Sequence, residues 1–127
     1  MNRNKVILVI DDNKDSYDLT YRKLAIFKYT VLHADCIHEA KSILKSVYVD
    51  LFIIDHFLHE ETGVSFLESD EFKTAQKKGS QAIYHSIEYK GEVIGLVQGF
   101  GVKYLSKLAN KEVFRLLVNT MLKDPDK

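Results

Sequence analysis

A short segment, residues 50–57, decides which fold class this sequence can adopt. Its four central residues, Leu51 to Ile54, are all apolar, two of them are β-branched, and an aspartate closes the run at each end. The run is too short for a typical helix and lacks polar alternation, so it predicts a strand buried on both faces. That strand would deliver Asp55 to its carboxyl end, where a carboxylate needs either solvent or a cation.

The same design recurs at residues 5–10, where an apolar run ends in Asp11 and Asp12. Three further apolar segments predict strands, at 30–34, 82–87 and 103–107. Segments with apolar residues three and four apart separate these strands and predict five helices. Strands that alternate with helices favour right-handed crossovers. We therefore expect an α/β fold, a doubly wound five-stranded parallel sheet with flavodoxin-like strand order 2-1-3-4-5 and helices on both faces.

Three of the predicted helices carry specific expectations. The third follows Gly63 and would bury Val64, Phe66, Leu67 and Phe72. The fourth covers 92–98 and contains Gly95, which costs about 1 kcal/mol relative to alanine. The fifth is capped by Asn110 and would turn inward Val113, Leu116, Leu117 and Met121.

Composition limits the classes of function that are open to this chain. Its 127 residues suffice for one domain with a single core, and 18 basic residues balance 18 acidic ones. Without an overall cationic field, we expect no direct binding to nucleic acid or to a membrane surface. The lone Cys36 and a beginning without signal-peptide layout favour a reducing cytoplasm.

Polar residues lie at the ends of four of the five predicted strands, at the edge where this fold binds ligands. They are Asp11, Asp12, Asp55, Ser86 and Lys107. Each alone is compatible with a solvated strand end. Converging aspartates, however, repel by about 4 kcal/mol for two unit charges about 4 Å apart at an effective dielectric of about 20. A divalent cation that takes oxygen ligands, Mg²⁺ or Mn²⁺, would offset this repulsion.

The chemistry that this set of groups favours is phosphoryl transfer. Asp55 would be the carboxylate nucleophile, and the metal and Lys107 would neutralise charge on the transferred oxygens. Ser86 would donate a hydrogen bond to the same oxygens.

From about residue 5 to about residue 122, the sequence resembles the receiver domain of response regulators, the CheY-like module of two-component signalling. Asp11 and Asp12 resemble the family's acidic pair, and Asp55 resembles its phosphoacceptor, with Gly63 eight residues later. Ser86 resembles the Ser/Thr switch, Tyr104 the switch aromatic and Lys107 the lysine. As an ordered set these residues are specific, whereas each alone is a weak signal.

The resemblance implies a signalling domain at 1–124, with 125–127 a tail or the start of a linker, and no enzymatic activity beyond its own phosphorylation and dephosphorylation. A sensor histidine kinase or a phosphotransfer protein would phosphorylate Asp55. The Mg²⁺ ligands would be Asp12, Asp11 largely through water, Asp55 and the backbone carbonyl of Phe57. Ser86 and then Tyr104 would move, and so change the face of the fourth helix, fifth strand and fifth helix, which is also a candidate homodimer interface.

Two further positions correspond to residues that tune hydrolysis of the acyl phosphate in the family, Phe57 and Glu88. We expect the bulky Phe57 to slow that hydrolysis by obstructing the attacking water.

Three residues depart from the family's pattern, and they keep other functions open. His59 and Leu108 stand where the family has prolines, and Ile87 replaces a small residue beside the switch serine. A cis peptide before Leu108 would cost about 2.5–4 kcal/mol without proline, which leaves the geometry of Lys107 open. These departures favour an alternative, a receiver-like module that binds partners without phosphorylation.

A second alternative is a Mg²⁺-dependent phosphatase that uses Asp55 as its nucleophile. It lacks a second acid two residues later, where Phe57 stands.

Overall fold

A computed structural model describes residues 3–87 and 90–123. Its strands are β1 (Val6–Ile10), β2 (Thr30–Ala34), β3 (Leu51–Ile54), β4 (Phe57–Leu58), β5 (Glu61–Thr62), β6 (Gln81–Ser86) and β7 (Lys103–Ser106). Its helices are α1 (Lys14–Leu24), α2 (Ile37–Leu44), α3 (Gly63–Leu67), α4 (Asp70–Lys77), α5 (Gly91–Gly99) and α6 (Lys111–Met121). None of the helices in these ranges has the length and apolar character needed to cross a membrane. The predicted boundary at 124 lies outside the described residues.

Five strands form one parallel sheet in the order β2-β1-β3-β6-β7, and β4 and β5 form a separate antiparallel hairpin. With the hairpin set aside, this is the predicted order 2-1-3-4-5, so the predicted doubly wound α/β fold is confirmed. The predicted fourth helix, fifth strand and fifth helix are α5, β7 and α6.

The central strand β3 is buried along its whole length, as its apolar run predicts. Phe52 and Ile54 face one apolar cluster, and Leu51 and Ile53 face another that includes Phe114. Full burial of such a side chain contributes about 1.5–3 kcal/mol. Packing on both faces therefore fixes the end of β3, where Asp55 lies.

The predicted third helix divides in two. The Oγ of Ser69 accepts from Phe72 N–H at 3.2 Å and donates to the carbonyl oxygen of Phe66 at 2.6 Å, so it ends α3 and caps α4. Serine is a preferred N-cap because its side chain satisfies an orphan N–H. Phe66, Leu67 and Phe72 are buried, as expected.

The predicted inner face of the last helix is wrong in part. Val113 and Leu116 are 46% and 68% exposed, whereas Phe114 and Val118 are fully buried. Phe114 and Val118 lie one turn apart on the same face of the helix. The large ring of Phe114 therefore occupies the core, and the smaller side chain of Val113 does not. Asn110 caps α6, as predicted.

Candidate functional site

The carboxyl ends of β1 and β3 bring three aspartates together. Asp11, Asp12 and Asp55 each offer an oxygen, and these oxygens all lie within 4.8 Å of one another. The ladder of the sheet continues past the strands, because Asp11 N–H donates to Ala34 O and Asp55 N–H donates to Ile10 O, both at 3.0 Å. Asp11 and Asp55 are buried and Asp12 is half-buried. The sheet itself therefore holds two of the three carboxylates in place.

Lys107 brings a positive charge to this cluster. Its Nζ lies 3.1 Å from Asp11 Oδ2 and 3.3 Å from Asp55 Oδ2. Its N–H donates to Ser86 O at 3.0 Å, which extends β7 along β6. The described residues contain no cis peptide bond, so the bond to Leu108 is trans. The absence of proline at Leu108 does not keep the ammonium group from the aspartates.

Ser16 belongs to the same network, although its sequence position indicates only a place at the start of a helix. Its hydroxyl donates to Asp11 Oδ2 at 2.6 Å and accepts from Lys107 Nζ at 2.6 Å. The side chain of Asn13 caps α1 by accepting from Ser16 N–H at 2.8 Å. The cap sets the start of the helix so that the first turn faces Asp11. A hydroxyl shortly after an acidic pair is the only signal that the sequence offers for this contact.

His33 supports Asp11 from the neighbouring strand β2. Its Nε2–H donates to the carbonyl oxygen of Asp11 at 2.7 Å, and its ring stacks on Tyr17 with centroids 4.0 Å apart. The sequence gives no signal for this contact, because it depends on the register of β1 with β2.

The surroundings of Asp55 disfavour the ionised form of its carboxyl group. Burial raises the pKa of Asp55 above its ordinary value, and the negative charge of Asp11 raises it further. Lys107 and the His56 N–H, which donates to Asp55 Oδ1 at 2.8 Å, act in the opposite direction without cancelling the rise. An additional cation at this site would therefore favour the ionised carboxylate.

The donor set fits a hard divalent cation. Mg²⁺ holds oxygens at 2.0–2.1 Å, so two ligands on opposite sides of the ion lie about 4.2 Å apart. The three carboxylate oxygens all lie within 4.8 Å of one another, a limit close to that spacing. Carboxylate oxygens suit Mg²⁺ or Mn²⁺ rather than softer metals, and three of them leave positions for water and substrate.

Gly63 is required by close packing at this edge. A Cβ on Gly63 would lie 2.4 Å from the carbonyl oxygen of Asp55 and 2.7 Å from a ring carbon of Tyr84. Its N–H donates to His56 O at 2.9 Å, which holds the β4–β5 hairpin against the end of β3. The glycine eight residues after Asp55 thus has a steric reason in this chain.

The turn between β4 and β5 binds the carboxylate of Asp12. His59 has a positive φ of 55°, its N–H donates to Asp12 Oδ2 at 2.8 Å, and its Nδ1 lies 3.6 Å from the same oxygen. A proline could neither adopt this φ nor donate this hydrogen bond, because its ring fixes φ near −65° and it lacks the N–H. The departure at His59 therefore supplies a direct backbone contact to the site.

The remaining predicted residues lie around the three aspartates and differ in exposure. Ser86 is fully buried at the end of β6, and Tyr104 is half-buried and donates its hydroxyl to Ser86 O at 3.3 Å. The side chains of Phe57 and Ile87 are 53% and 51% exposed. Glu88 lies outside the described residues.

Neither a scan against family models nor a search of curated proteins finds a match to the sequence. Solved structures do match. The signal receiver domain of an HD domain-containing protein from Pseudomonas fluorescens Pf-5 has a TM-score of 0.85 and 22% identity, and the match covers 97% of this chain and 90% of that one. A two-component response regulator from Clostridium difficile matches with a TM-score of 0.83 and 21% identity, over 98% of this chain and 100% of that one.

The chemotaxis protein CheY4 of Vibrio cholerae matches with a TM-score of 0.82 and 20% identity, over 94% of this chain and 100% of that one. At such identities the likeness concerns the fold. This chain has the CheY-like fold of response regulator receiver domains.

Proposed function

We propose that this chain is a phosphoacceptor receiver domain of a two-component system, a cytoplasmic signalling module rather than an enzyme that turns over an external substrate. The observation that carries the proposal is the position of Lys107 Nζ, within 3.3 Å of both Asp11 and Asp55, in a cluster of three carboxylates. The likeness in fold to receiver domains supports the same conclusion.

In the proposed reaction, an ionised oxygen of Asp55 attacks the phosphorus of a phosphohistidine on a sensor histidine kinase or a phosphotransfer protein. A P–O bond forms as the P–N bond breaks, and the electron pair returns to the imidazole nitrogen, which takes up a proton. Lys107 neutralises charge on the transferred oxygens. Mg²⁺, when bound, supplies further charge neutralisation. The groups that would hold it are Asp11, Asp12, Asp55 and the Phe57 carbonyl.

Phosphorylation would act on the rest of the domain through charge. The acyl phosphate carries roughly −1.5 to −2 in place of −1. Ser86 would donate to its oxygens and Tyr104 would follow, which would change the face formed by α5, β7 and α6, including a homodimer interface. A shift of a 1:99 population to 99:1 needs about 5.5 kcal/mol, and a few charge-assisted hydrogen bonds are of that order.

The lifetime of the acyl phosphate would depend on Phe57 and Glu88. The side chain of Phe57 is half exposed at the start of the hairpin, directly after the site. A Phe57→Asn variant should lose the phosphoryl group faster than the wild type, because a smaller side chain admits the attacking water. An equal or longer lifetime in the variant would count against this role.

A second candidate is a receiver-like module that binds partners without phosphorylation. It is favoured by the way the chain itself neutralises its carboxylates, since His59 N–H bonds Asp12 and Lys107 pairs with both Asp11 and Asp55. These contacts would offset part of the repulsion among the carboxylates without a metal ion.

One experiment separates these candidates. The protein is incubated with Mg²⁺ and acetyl phosphate or beryllofluoride, and its mass and amide chemical shifts are recorded. A receiver gains one phosphoryl group or shows shift changes around residue 55, and loses both in Asp55→Asn and on chelation of Mg²⁺. The exposed-pair variant Asp18→Asn serves as the control. A folded wild type that shows neither response would support the second candidate, and turnover of a phosphate ester would instead support a phosphatase.

A further inference from the structure

A buried tyrosine connects the phosphoacceptor segment to the rest of the sheet. Tyr84 is the largest fully buried side chain among the described residues. Its hydroxyl lies 2.5 Å from Nδ1 of His56, which is also buried. A phenol in the interior needs a hydrogen-bond partner, so this contact constrains both rings. His56 in turn follows Asp55 directly and donates its N–H to Asp55 Oδ1 at 2.8 Å.

On its other side, Tyr84 contacts the aromatic residue of β7. Tyr84 and Tyr104 are paired in register across β6 and β7, and their rings stack with centroids 6.4 Å apart and an interplanar angle of 29°. Tyr84 also packs against Gly63, where a Cβ would come within 2.7 Å of its ring. The Tyr84 ring therefore has little space to move without moving its neighbours.

We propose that His56 and Tyr84 are positioning residues that couple the state of the Asp55 carboxylate to the position of Tyr104. The proposal rests on the proposed function for what changes at Asp55, and it adds a route to Tyr104 that does not use the Ser86 hydroxyl.

The physical steps follow from the contacts. When an oxygen of Asp55 is esterified by a phosphoryl group, the carboxyl group accepts the His56 N–H less strongly, because hydrogen bonds to an ionised acceptor are the stronger ones. The peptide of His56 then shifts and carries the imidazole with it. Tyr84 follows to keep its hydrogen bond, and its ring displaces the ring of Tyr104.

A simple packing role for Tyr84 makes a different prediction. Loss of the Tyr84 hydroxyl would then lower stability but leave communication between residue 56 and Tyr104 unchanged. Tyr84→Phe removes that hydroxyl and keeps the ring, and His56→Phe removes the imidazole and keeps an aromatic ring. Tyr29→Phe is the matched control, because it removes a phenol that bonds Asn119, on α6.

The first measurement uses the protein without ligand and so does not depend on phosphorylation. Coupling between two sites is reciprocal, so Tyr104→Leu should shift the imidazole resonances of His56 in NMR spectra. This response should fall by more than half when Tyr84→Phe is added, and should persist when Tyr29→Phe is added. An equal response in both backgrounds would overturn the proposal.

The second measurement uses Mg²⁺ and beryllofluoride. We expect Tyr84→Phe and His56→Phe to bind beryllofluoride, as seen by fluorine NMR, while the shift change of Tyr104 falls by more than half. A full Tyr104 response in both variants would overturn the coupling. If the wild type does not bind beryllofluoride, the proposed function fails, and the ligand-free measurement still decides the coupling.

Discussion

The two ends of β3 carry the same residue type in opposite circumstances. Asp50 precedes the strand, Asp55 follows it, and each is 8% exposed. The carboxylate of Asp50 accepts from both terminal nitrogens of Arg3, at 2.9 and 3.0 Å, and from Val6 N–H at 2.8 Å. Asp55 accepts one backbone N–H and shares the ammonium of Lys107 with Asp11.

The exposed fraction is the same at the two ends, and the difference lies in the ratio of cationic side chains to carboxylates. At the amino end of the sheet, one carboxylate has a complete set of donors, and polar neighbours such as Ser80, which donates to Val49 O at 2.6 Å, also satisfy one another. At the carboxyl end, three carboxylates lie around the single ammonium group of Lys107, and burial raises the pKa of Asp55. A surplus of like charge held by a rigid sheet is what makes an edge able to bind a cation or an electrophile.

The largest effect should come from Gly63→Ala. A Cβ 2.4 Å from Asp55 O forces the backbone of the site to move, so we expect a loss of about 3 kcal/mol in the free energy of unfolding and loss of phosphorylation. Denaturant unfolding measures the first effect. Gly95→Ala is the control, because its Cβ meets no atom within 4 Å and alanine favours helix, so that variant should be slightly more stable. Similar stabilities for the two variants would refute the steric role.

At the amino end, Asp50→Asn should cost about 2 kcal/mol in the free energy of unfolding, because it removes the charge from the pair with Arg3. Phosphorylation by acetyl phosphate, measured on the folded fraction, should stay unchanged. Asp18→Asn, which breaks only an exposed pair with Lys14, should change stability by less than about 0.5 kcal/mol. A slower reaction in folded Asp50→Asn would mean that the two ends are not independent.

Ser16→Ala should lower both stability and the rate of phosphorylation by modest amounts. Lys107 and Asp11 remain paired without the hydroxyl, so the loss of stability should be about 1 kcal/mol. Since Ser16 sets the position of Lys107 Nζ, the rate of phosphorylation by acetyl phosphate should fall about fivefold, which corresponds to about 1 kcal/mol. Ser42→Ala, at an exposed position of α2, is the control. An unchanged rate would show that Lys107 is positioned without the serine.

Asp55→Asn should have the smallest effect on stability, and with the opposite sign to Asp50→Asn. Because the folded pKa of Asp55 is raised, the folded state binds its proton more tightly than the unfolded chain does, so the charged carboxylate destabilises the fold above that pKa. The variant should be more stable at neutral pH by less than about 1 kcal/mol, since Lys107 and solvent screen part of the repulsion.

The raised pKa of Asp55 also sets the pH dependence of the Asp55→Asn effect. Its advantage should shrink as the pH falls towards 3.8, the ordinary aspartate pKa, where both states of the wild type take up the proton. Thermal unfolding of variant and wild type between neutral and acid pH measures this difference. A variant that is less stable than the wild type at neutral pH would show that the Lys107 contact outweighs burial.

Much of the fold follows from apolar runs and their spacing. The run at 51–54 and its counterpart at 6–10 are buried strands, and their order in the sheet follows from the alternation of strands and helices. The buried face of an amphipathic helix is harder to predict, as α6 illustrates. There Val113 and Phe114 are both apolar, and only the space available in the core decides which of them turns inward.

The candidate site could be predicted where residues follow strands directly. Asp11, Asp12, Asp55 and Lys107 lie together for that reason, although their roles remain predictions. Ser16 and His33 could not be predicted, because their contacts depend on the exact start of α1 and on the register of β1 with β2. The His56 contact with Tyr84 likewise joins two strands whose side chains no local pattern relates.

The turn at His59 has a consequence for protein engineering. Since the main chain, and not the imidazole, makes the shorter bond to Asp12, residues that tolerate a positive φ, such as asparagine, should preserve this contact. Glycine, which adopts a positive φ without steric cost, is the natural choice for a tighter hairpin. Proline at this position would instead release Asp12, because its ring fixes φ near −65° and it has no N–H to donate.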